Sequence, residues 1–125
     1  MMRVSHGVLL VALMIAPTAF ASTSAADSLL ARSRAAEQAG KRDAALRFAQ
    51  AAIVADPTRV SSYTALGDLY MRESQSDFAS FYYSEALAID PQDPAAQRGL
   101  ALADKASQTA TAAAGSSLDK NPTQH

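Results

Sequence analysis

The dipeptide Asp56-Pro57 recurs as Asp90-Pro91, and each copy ends a run of apolar residues spaced for a helix. Proline has no N–H to donate and biases the residue before it away from helical backbone, so each dipeptide is a stop signal. The interval between them divides the chain into units of equal length, each long enough for two helices and a turn. From Ala25 to Ala114 alanine is abundant, glycine and proline are sparse, and no stretch alternates as a strand would. The expected class is all-α, with helices near 27–39, 42–55, 59–72, 77–89 and 94–107. Asp77 suits the cap or first turn of the fourth helix, and Pro94 the first turn of the fifth.

Within residues 60–93, large and small side chains alternate in a way that lets two helices approach closely. Tyr63, Leu66, Tyr70 and Tyr83 are large, whereas Gly67, Ala79 and Ala86 are small, and Pro91 closes the unit. Gly67 and Ala86 are expected to bring their two helices together. At these positions the unit resembles the tetratricopeptide repeat (TPR) pattern, and the step from Pro57 to Pro91 equals the length of one such repeat. Residues 26–59 are similar over their second half, with Gly40 at the turn and Ala45, Leu46, Phe48, Ala52, Ile53 and Pro57 following. The first helix departs, because Leu29, Arg32, Ser33 and Ala36 replace the aromatic, Leu, Gly and Tyr of the pattern. The resemblance implies a right-handed α-solenoid of about two helical-hairpin repeats, 26–59 and 60–93, with a C-terminal capping helix at 94–107. Residues 108–125 offer little to bury and are expected to be disordered.

The N-terminus reads as a signal peptide of a bacterial type. Arg3 precedes an apolar run from Val8 to Ala16, and Ala19-Phe20-Ala21 offers the small side chains a signal peptidase accepts, so cleavage after Ala21 is expected. The run is shorter than the roughly 20 apolar residues a membrane span needs. A domain at 22–107, periplasmic or secreted and without a stable membrane span, is therefore expected. Residues 1–21 carry one of the chain's 11 basic side chains and none of its 12 acidic ones, so the remainder has a net charge of −2. That balance argues against nucleic acid as a partner. There is no cysteine for a disulfide or a lipid anchor.

The chemistry of catalysis is sparse. The histidines are His6, in the expected signal peptide, and His125, the last residue. Ser-His and Cys-His nucleophiles, and zinc sites built on nitrogen or sulfur, lack their residues. Asp56 and Asp90 occupy equivalent turns and read as structural. Gly40, Gly67, Gly99 and Gly115 are scattered and form no phosphate-cradling loop. The expectation is a non-enzymatic protein without cofactor or metal.

Binding surfaces remain. By the TPR resemblance the first helix of each unit lines a groove, which places Leu30, Arg34, Glu37, Thr64, Asp68, Met71, Arg72, Arg98 and Leu102 toward a partner protein. The lysine and asparagine that clamp a peptide carboxylate in chaperone-binding members have no counterpart at Leu30, Arg34, Thr64 and Asp68. Alternatively, these groove residues are simply solvated. Phe78 and Phe81 stand where the pattern carries charge. They are either core, through a rotated fourth helix or cover from the fifth, or an exposed patch for partner binding or self-association. Two roles follow: an adaptor that holds another protein, or a structural subunit whose repeats complete a larger homo- or hetero-oligomeric assembly.

Overall fold

In the computed structural model, which describes residues 19–118, all regular structure is helical. The elements are α1 (Ala19–Gln38), α2 (Arg42–Ala55), α3 (Val60–Arg72), α4 (Ser76–Ile89) and α5 (Pro94–Leu118). No strand occurs among the described residues, and no helix among them is long and apolar enough to cross a membrane. The expected signal segment lies mostly outside the described residues. α1 itself begins at Ala19, ahead of the expected cleavage bond between Ala21 and Ser22.

The period that separates Pro57 from Pro91 governs backbone as well as composition. α2 and α4 are both 14 residues long and begin at equivalent positions, Arg42 and Ser76. Each hairpin turn is closed by the same bond, Lys41 N–H to the Ala36 carbonyl in one unit and Gln75 N–H to the Tyr70 carbonyl in the next. The residue before each donor is left-handed, Gly40 at φ +72° and Ser74 at φ +60°. Between units, Asp56 and Asp90 are extended and their side chains hold the following turn. Asp56 Oδ1 accepts from the Thr58 N–H at 3.1 Å, as Asp90 Oδ1 does from the Gln92 N–H at 3.0 Å. The Thr58 hydroxyl, then its N–H and the nearby Arg59, hold the Asp56 carboxyl below its ordinary pKa. Asp93 caps α5 through Oδ2, which accepts the Ala96 N–H at 2.8 Å, and Pro94 follows at the first helical position.

Packing follows chain order, each helix lying against the next. Beyond that, the backbones of α1 and α3 and of α3 and α5 come close, whereas those of α2 and α4 stay further apart. The odd helices therefore form a close inner layer and α2 and α4 a spread outer one. Alanine makes this possible: Ala45, Ala49, Ala52, Ala79 and Ala86 are all fully buried, and their small side chains bring helix axes near one another. One core cluster joins Ala36, Ala45, Ala49, Leu66 and Leu69, with Phe48, Tyr70 and Tyr82 packed on it. A second joins Ala79, Tyr83 and Ala103, with Tyr70, Met71 and Leu100 around it. Tyr70 belongs to both and links the units.

The departures in α1 are buried too. Ser33, at the position of Gly67, is 3% exposed and donates its hydroxyl hydrogen to the Ala45 carbonyl at 2.8 Å. A small polar side chain that bonds the facing backbone stands in for glycine there.

α3 and α4 approach closely at Gly67, where a Cβ would lie 2.6 Å from Tyr83 Cε1, and Ala86 of α4 is fully buried. A Cβ on Gly99 would overlap the same ring, so Tyr83 is held between two glycines of α3 and α5. One expectation is corrected: the fifth helix does not end at Ser107 but continues to Leu118, with residues 108–117 exposed. Ala110, Ala112, Ala113 and Ala114 favour helix without burial. The hydroxyls of Thr109, Thr111 and Ser117 bond carbonyls four residues back.

Candidate functional site

The inner layer contains a cleft of about 240 Å³ between α1 and α3. From α1 it takes Ser33, Arg34 and Glu37, and from α3 Ser61, Thr64, Ala65, Asp68, Leu69 and Arg72. These positions recur every three or four residues, which puts them on the facing stripes of the two helices. Arg34, Glu37, Thr64, Asp68 and Arg72 are thus brought together as expected. Leu30 is instead buried, at 3% exposure. Met71 turns into the second core cluster, and Arg98 and exposed Leu102 on α5 lie outside the cleft. Ser61, Ala65 and Leu69 were not singled out from sequence, and Ser33 was named only as a departure from the repeat pattern, although each lies three or four residues from a named groove residue on the same helix.

Charge in the cleft is balanced and mostly engaged. Arg72 forms an ion pair with Glu37 across the gap between α3 and α1. Both carry exposure, so the pair contributes little stability, about 0–1 kcal/mol. Asp68 accepts a hydrogen bond from the Tyr83 hydroxyl at 2.5 Å. Burial first, and then the Asp68 bond and charge, push the Tyr83 phenol well above its ordinary pKa. Arg34 is exposed and meets no carboxylate among the described residues, so it remains available to a ligand. The cleft is smaller than the roughly 300–1,000 Å³ of small-molecule pockets. Its volume suits one or two side chains of a polypeptide.

A second surface lies on α4. Phe78 and Phe81 are 57% and 56% exposed, so they are not core. Phe78 stacks on Tyr70 with ring centroids 5.3 Å apart, Tyr70 stacks on Tyr82 at 5.5 Å, and Phe81 meets Tyr82 edge-on at 5.1 Å. The four rings form one continuous aromatic surface. The packing residues Tyr63 and Pro57 also meet, the Tyr63 hydroxyl donating to the Pro57 carbonyl at 2.8 Å. Among the described residues no group of three or more His, Asp or Glu side chains is placed to hold a metal ion.

In comparison with known proteins, no protein-family model matches the chain and no curated protein matches it.

Proposed function

We propose that the chain is an exported TPR-type adaptor of two repeats and a capping helix, which holds a segment of another protein in the α1–α3 cleft without catalysing a reaction. One observation carries this reading: the hydrogen bonds of the hairpin turn and of the Asp turn both recur at the offset that separates Pro57 from Pro91. A stack of equivalent helical units with a spread outer layer leaves a concave inner surface, and such surfaces are how repeat proteins bind extended partners. The cleft lies on that side, and its size and free Arg34 favour an acidic or polar polypeptide segment. Export, with cleavage after Ala21, belongs to the same proposal and rests on the N-terminal apolar run.

A photo-crosslinking residue at Thr64, inside the cleft, tests the assignment against one at Glu85, on exposed α4. The expected outcome is a discrete crosslinked partner from Thr64 in envelope extracts, absent with Glu85 and lost in Arg34→Glu. Equal capture from both positions, or capture indifferent to Arg34, would overturn the cleft as the binding surface.

A further inference from the structure

The aromatic surface of α4 encloses an open pocket of about 400 Å³ lined by Asp77, Phe78, Phe81 and Tyr82. Ring faces attract cations through their quadrupole within about 6 Å. Asp77 adds a full negative charge at the rim. Its Oδ1 accepts from the Ser107 hydroxyl at 2.9 Å, while its other oxygen accepts nothing from the described residues. α4 contains Asp77 and Glu85 and no lysine or arginine. Three rings and a carboxylate together make a receptor for a guanidinium or ammonium group.

The chain displays such groups one unit earlier. Lys41, Arg42 and Arg47, three cations against the single carboxylate of Asp43, line an open hollow of about 430 Å³ at the start of α2, together with Gly40 and Ala44. All three cations are exposed, and none makes an ion pair or side-chain hydrogen bond with a described residue. Arg47 and Ala44 occupy in the first unit the positions that Phe81 and Phe78 occupy in the second. Because α2 and α4 have equivalent ends, the basic and aromatic surfaces sit at the same height on neighbouring helices of the outer layer.

We propose that these two surfaces bind each other between two copies of this chain, Arg47 of each copy entering the Phe78–Phe81–Tyr82 pocket of the other against Asp77. A two-fold axis running along the helices, midway between α2 and α4, lays α2 of one copy over α4 of the second. The same rotation lays α4 over α2, so both contacts form together and the assembly closes as a dimer. Small Ala44 leaves room for the Phe78 ring of the other copy. The alternative two-fold pairings are disfavoured, because α4 on α4 opposes the carboxylates of Asp77 and Glu85, and α2 on α2 brings together two surfaces of net positive charge. The dimer uses the outer layer, so it neither requires nor blocks the inner cleft.

Light scattering and sedimentation of the full chain test this. The wild type is expected to have a dimer mass. Asp77→Arg alone and Arg47→Asp alone should each raise the dimer dissociation constant at least about tenfold, since each opposes like charges at both contacts. An equimolar mixture of the two variants should restore the dimer, because every contact then joins opposite charges. Phe78→Ser/Phe81→Ser should keep its helicity by circular dichroism and be monomeric. If Asp77→Arg does not fold, Phe81→Lys with Arg47→Glu takes its place in the mixture. A monomeric wild type, a dimer indifferent to the single reversals, or a mixture that stays monomeric would each overturn the proposal.

Discussion

The Tyr83 hydroxyl donates to Asp68 Oδ1 across 2.5 Å, so one side chain both fills the second core cluster and fixes a wall of the inner cleft. Tyr83→Phe removes that bond while keeping the ring. Because Asp68 is exposed and can turn to water, the expected loss is modest, about 1 kcal/mol. For a domain of this size that lowers Tm by about 4–8 °C. The raised phenol pKa adds a pH signature. A folded pKa above the unfolded one stabilises the fold fully below the unfolded value of about 10, and the stabilisation is lost as pH climbs from there toward the folded value. Urea unfolding at pH 8 and pH 11 should show a larger loss for wild type than for Tyr83→Phe. Equal losses would mean that the Tyr83 phenol is not held from ionising.

Tyr83 is pinned between Gly67 and Gly99, which decides what an added methyl does. On an ordinary helix Gly→Ala gains about 1 kcal/mol. Here the ring cannot retreat from one glycine without striking the other, and overpacking of this kind costs about 1–3 kcal/mol. Gly67→Ala and Gly99→Ala should therefore lose stability, whereas Gly115→Ala, with nothing near its Cβ, should be neutral or gain helicity. Thermal melts of the three variants give the order directly. A gain at Gly67 or Gly99 would show that the ring is not confined.

Ser74 carries a left-handed backbone at φ +60°, at the position where the first unit has Gly40. A side chain in that conformation costs about 1–2 kcal/mol, of which glycine recovers part against its greater freedom when unfolded. Ser74→Gly should stabilise the protein by about 0.5–1 kcal/mol, and Gly40→Ser should destabilise it by a similar amount. Chemical denaturation of this reciprocal pair checks the equivalence of the two hairpin turns. Changes of the same sign would refute it.

Much of the helical layout is legible because the signals are local. Asp56-Pro57, Asp90-Pro91 and Pro94 act through backbone restrictions that do not depend on the rest of the fold, and α2, α3, α4 and the start of α5 fall within a residue of where those signals put them. The far end of α5 escapes the same logic. Residues 108–118 have no apolar face, so a search for burial finds nothing, yet the helix propensity of alanine carries α5 on in water. Gly99 was unreadable for another reason. It does not repeat Gly67, whose counterpart one period on is Ala101, so only the fold reveals that both glycines meet Tyr83. In the cleft, Arg34, Glu37, Thr64, Asp68 and Arg72 stand where the repeat resemblance implied groove positions. Met71, one residue and about 100° around the helix from Arg72, belongs to the core instead. Exposure of Phe78 and Phe81 is a tertiary fact that pattern alone leaves open.

The matching turns at Asp56 and Asp90 make residues 60–93 an interchangeable cassette. Its entry and exit have the same backbone geometry, so a second copy inserted after Asp93 would meet the joint that the first already accepts. The inner surface then lengthens by a fixed increment per copy while the terminal helices stay as they are. One contact limits the exchange: a copy would set Ala65 where Gly99 now faces Tyr83, so length is added cleanly only if that position is made glycine.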